Sequence, residues 1–76
     1  MNTVRLGASK AKSVQEVLDW LENNVGEMFN RTLVISGVEY EGIGWIAKWR
    51  QFGSGWFIDV SFTDPKLAFL FSLRWK

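Results

Sequence analysis

The chain has no cysteine and no histidine. The first absence removes disulfide staples, thiol nucleophiles and thiolate metal sites, and with them any redox signal of compartment. The second removes the commonest general base and the commonest metal ligand. Ser-His-Asp, Cys-His, HExxH and zinc-finger chemistries are therefore excluded. Proline occurs once, and no apolar run approaches the roughly 18 residues of a membrane span. The first twelve residues lack an apolar stretch of signal-peptide length, so the expected location is the cytoplasm, or the host cytoplasm for a phage-encoded chain. Charge of one sign is also lacking: nine basic and eight acidic residues leave a net +1. That balance supplies neither the acidic field of a DNA mimic nor the basic field of a strong nucleic-acid binder. The expectation is a protein without catalytic residues, bound metal or cofactor.

What is present is apolar bulk. Of 76 residues, 47% are hydrophobic and 16% aromatic, with five Trp and six Phe. A chain this short buries only about 60% of its unfolded surface, so its core must be dense. Large rings supply that density, since each removes on the order of 150–250 Å² from water. Charged residues are too few, at 22%, for intrinsic disorder.

The organisation reads as a flexible N-terminal arm over residues 1–12, small, polar and basic, followed by one domain over 13–76. Ser13 stands three residues before Glu16, the spacing of a capping box. Val14, Val17, Leu18, Leu21 and Val25 then repeat at helical spacing, which predicts a helix over about 13–25. From Arg31 the texture turns β-branched and aromatic, and four strands are expected: 31–36, 38–51, 55–63 and 67–76. A turn at Gly53-Ser54 would set Trp49 opposite Ile58, Ala47 opposite Val60 and Trp45 opposite Phe62, with Lys48 against Asp59 on the other face. A turn at Ser54-Gly55 keeps the same faces and pairs Arg50 with Asp59, so both registers stay open. Asp64-Pro65 reads as a type I turn into the last strand. The first hairpin is expected to turn at Ser36-Gly37. The buried set is even-numbered before Gly42-Ile43-Gly44 and odd-numbered after it, which predicts a bulge there. The expected fold class is α+β: one N-terminal helix packed on a four-stranded antiparallel β-meander.

No motif carries chemistry on its own. The Gly-x-Gly-Trp echo at Gly42 and Gly53 falls among strands, where a phosphate-binding loop needs a strand and then a helix. Glu39 and Glu41 share a strand face, but no third ligand lies near in sequence, so they read as solvated charges. Asn30-Arg31-Thr32 matches a glycosylation sequon, which has no meaning without secretion. The better lead is the sheet face that a single helix cannot cover. It is expected to show Ile46, Lys48, Arg50, Phe57, Leu70 and Arg74, with Lys76 at its margin, an apolar row with a basic border. These six residues are the candidate partner-binding set. The expected partner is another protein or a second copy of this chain stacked face to face as a dimer. Small proteins this poor in reactive groups are often inhibitors or accessory factors of phage or bacterial type, and a CRISPR inhibitor fits that class. The alternative is a single-stranded nucleic-acid-binding module using the same face.

Overall fold

The computed structural model describes residues 2–75. The fold is α+β, with a five-stranded antiparallel sheet and two helices. In chain order the elements are β1 (Asn2–Gly7), α1 (Val14–Asn24), β2 (Met28–Val34), β3 (Gly37–Gly42), β4 (Trp45–Phe52), β5 (Gly55–Phe62) and α2 (Pro65–Trp75). The sheet order is β1-β5-β4-β3-β2, so β1 and β2 are its two edges. Because α1 connects one edge to the other, it crosses the sheet on one side. Phe71 of α2 packs on Phe62 of β5 and on Trp20 of α1, so both helices lie on that same side.

Four expectations stand corrected. The arm is not loose along its described length: Asn2–Gly7 forms β1, paired along β5. Val4 and Leu6 point into the core while Thr3 and Arg5 alternate outward, the period-2 pattern of a half-buried strand. Met1 lies outside the described residues. The last strand is instead helix α2. Asp64 is its start signal: its carboxylate accepts the Lys66 N–H at 2.9 Å, and Pro65 occupies the first helical position. The segment Leu67–Leu73 is apolar at nearly every position, so alternating and helical registers both look apolar in sequence. Finally, 38–51 is two strands. Ile43-Gly44 is a two-residue turn that sets Gly42 opposite Trp45, with Gly44 at φ 87°. The change of parity is a hairpin reversal and not a bulge. Likewise the first hairpin turns one residue earlier, at Ile35-Ser36, with Ser36 at φ 62° and Val34 opposite Gly37.

Two local expectations match the structure. Ser13 caps α1 by accepting the Glu16 N–H at 3.2 Å. The β4–β5 register has Trp49 opposite Ile58, Ala47 opposite Val60, Trp45 opposite Phe62 and Lys48 opposite Asp59. The core between sheet and helices holds Leu6, Val17, Leu21, Trp45, Ile58 and Phe71, all fully buried. Trp45 also ties the layers together, since its indole N–H donates to the Gly26 carbonyl at 2.7 Å. Trp49 and Trp56 pack at the rim of the core, half-buried. The Trp49 indole N–H is buried and finds no acceptor among the described residues.

Candidate interaction surface

No described element covers the side of the sheet away from the helices. Ile46, Lys48 and Arg50 of β4 face it beside Phe57 and Asp59 of β5, as the register predicts. The structure adds Arg5 from β1 and Glu39 from β3. These charges pair within the chain. Arg5 Nε and Nη2 donate to the two Asp59 oxygens at 2.7 and 2.9 Å, and the guanidinium lies 4.0 Å over the Phe57 ring. Those hydrogen bonds raise the Arg5 pKa further. Arg50 Nη2 donates to Glu39 Oε2 at 2.6 Å, and Asn30 donates to Glu41 at 2.8 Å. Lys48 stands in register between Glu39 and Asp59. Ile46 and Phe57 are half-buried, and Phe52 tilts against Phe57 at 5.6 Å. The face is thus a laced array of opposite charges. Two of its cations are already committed to carboxylates, which leaves little free charge for phosphates.

Leu70 and Arg74 are not on this face. They lie on α2, on the helix side of the molecule. Ala68, Phe71 and Trp75 form the inward stripe of α2. Opposite that stripe stand Lys66, Phe69, Leu70, Leu73 and Arg74, all exposed. Phe69 is 64% exposed, Leu70 50% and Leu73 65%. An amphipathic helix on a core turns a polar face to water. This one turns three large apolar side chains outward, bordered by two cations. Lys66, Phe69 and Leu73 were not among the sequence candidates. The signal for them was an apolar run with no polar face at helical spacing. Lys76 lies outside the described residues.

Glu16 fastens α2 to α1. Its Oε1 accepts the Trp75 indole N–H at 3.3 Å and the Lys12 backbone N–H at 3.4 Å. The Trp75 bond, then the Lys12 bond, hold the Glu16 carboxyl below its ordinary value. A depressed folded pKa contributes stability above the unfolded carboxylate value, and that stability is lost as pH falls through the folded value. Thermal melting followed from neutral pH to about pH 3 should show Glu16→Gln less stable than the parent near neutrality. The gap should close in acid. A gap of constant size across that range would remove the ionised carboxylate from the account.

Among the described residues there is no cavity and no group of three side chains able to hold a metal ion. No helix among them is long and apolar enough to cross a membrane. Comparison with known protein families, with curated proteins and with solved structures finds no match. Two surfaces stand out: the charge-laced sheet face, and the outward face of α2.

Proposed function

We propose that this chain is a non-enzymatic protein that works by binding another protein, as an inhibitor or accessory factor of phage or bacterial kind, with the outward face of α2 as its docking surface. The observation that carries this reading is the exposure of Phe69, Leu70 and Leu73 together, on the side of α2 opposite its core stripe. Contiguous apolar surface of this kind on a small domain marks a site that something covers. α2 contains no acidic residue, and Lys66 and Arg74 flank the apolar group. The complementary partner offers an apolar groove with carboxylates at its rim, the usual way an exposed helix is received. Arg74 is the stronger anchor of the two cations, because its planar fork pairs with a carboxylate at two points. Action against a host defence such as CRISPR belongs to the same class of function.

The test compares two variants in affinity capture from the native host. Phe69→Ser with Leu73→Ser should lose the captured protein and keep its melting temperature within a few degrees, since both side chains are on the surface. Ile46→Asp with Phe57→Ser on the sheet face should keep the partner. Loss in the second variant and retention in the first would move the docking surface back to the open sheet. Capture that weakens steeply with salt, with nucleic acid in the eluate, would replace a protein partner by single-stranded nucleic acid.

A further inference from the structure

The three most exposed large apolar side chains among the described residues are Ile35 at 94%, Leu33 at 74% and Phe29 at 67%. All three belong to the edge strand β2 or to the turn that follows it. The other edge, β1, is covered on the helix side by α2, and its Arg5 and Thr3 are tied to Asp59 and Ser61. β2 has less protection: its Asn30 is tied to Glu41 and its Met28 packs on the core, both at the start of the strand. Its residues from Phe29 to Leu33 are exposed on both faces of the sheet, and it holds neither proline nor lysine. Its bulge falls at its very start, between Met28 and Asn30. Proline, lysine and mid-strand bulges are the usual means of blunting an edge.

The backbone says what kind of partner fits. With a two-residue turn at Ile35-Ser36, Val34 and Gly37 form the closing hydrogen-bonded pair. Hydrogen-bonded and non-bonded pairs then alternate along the ladder. Asn30 and Thr32 turn their backbone groups inward to β3, and Arg31 and Leu33 turn theirs outward with no strand beyond them. The groups left open are those of an antiparallel ladder waiting for a further strand.

The geometry points to a second copy of this chain as that strand, paired β2 to β2 across a two-fold axis through Thr32. Charge selects the register. Arg31 is the only charged residue in β2, so centring the axis on it would set like charges face to face. Moving the axis by one residue sets Arg31 opposite Leu33 of the second copy, and Leu33 opposite Arg31. The outward backbone groups of both residues then meet one another. Thr32 meets Thr32, a cross-strand combination that stabilises antiparallel pairs, while Phe29 at the bulge and Ile35 in the turn flank the ladder. The two Arg31 side chains stand on a diagonal roughly 7–8 Å apart at their roots, exposed to water. The isologous contact closes on itself and joins two five-stranded sheets into one. It uses neither the open sheet face nor the outward face of α2, so both stay available in the dimer.

The test follows mass and amide exchange over a concentration series of the full chain. Sedimentation should show mass rising from one chain to two. The amide hydrogens of Arg31 and Leu33, which lack a strand partner within one chain, should become protected in step. Leu33→Pro removes only an outward N–H, a position where an edge strand accepts proline, and should weaken association by about a hundredfold. Leu33→Lys should do the same by charge, and it decides the matter with the exchange data if the proline variant does not fold. A single chain at every concentration would overturn the proposal. So would a dimer that both Leu33 variants leave intact, whether Ile46→Asp on the sheet face or Leu73→Ser on α2 then breaks it.

Discussion

Replacing Trp45 by alanine should leave the protein largely unfolded at room temperature. The ring is fully buried where the first strand of the β4–β5 hairpin meets the C-terminal end of α1. Large-to-small substitution of a buried aromatic costs about 3–5 kcal/mol. The same change strands the Gly26 carbonyl, which loses the indole N–H that it accepts. A domain of this size has a total stability of only about 5–15 kcal/mol, with the small end usual for short chains. Urea titration followed by tryptophan fluorescence and far-ultraviolet circular dichroism is the measurement. A midpoint within error of the parent would show that Trp45 does not bridge sheet and helix.

Gly42→Ala should also destabilise the protein, although it adds only a methyl group. Gly42 lies opposite Trp45 across the β3–β4 turn, and a Cβ there would overlap the indole ring at Cε2 and Nε1. Overpacking of this kind costs about 1–3 kcal/mol and displaces the ring from its hydrogen bond. The two sites share one volume, so their effects should not add. In a Trp45→Phe background, where the smaller ring leaves room, Gly42→Ala should cost less than it does in the parent. Strict additivity across the four proteins would separate glycine from ring. Gly42 is thus required by close approach, whereas Gly44 is required by its positive φ.

How far the sequence reaches can be seen residue by residue. The α1 helix was legible because Ser13, Glu16 and the Val17–Leu18–Leu21 stripe state the same thing at the level of cap and of periodicity. The faces of the β4–β5 hairpin are legible because a one-residue slip would set Asp59 against Trp49 and break both at once, whereas a two-residue slip keeps them, and the structure selects the Gly53-Ser54 turn. That register correctly placed Ile46, Lys48, Arg50 and Phe57 together on the uncovered face. The pairing of Arg5 with Asp59 and of Arg50 with Glu39 was not legible. It depends on which strands become neighbours, and sequence separation carries no such information.

Composition and local periodicity determined an α+β domain, a helix capped by Ser13, the two faces of an antiparallel hairpin, and an aromatic core. Tertiary structure decided the rest wherever two local readings were nearly equal in energy. The run from Leu67 to Leu73 offers apolar residues to a strand and to a helix alike. The Asp64 cap and the packing of Phe71 against Phe62 and Trp20 select the helix. The segment from Asn2 to Gly7 is too short and polar to order itself. It becomes a strand because β5 offers a free edge and the helices offer a core for Val4 and Leu6. Once both choices are made, Leu70 and Arg74 turn away from the sheet face, and β2 is left as the more exposed edge. Local sequence sets what each segment can become, and burial against distant partners, which alone offsets the entropy of ordering, selects what it is.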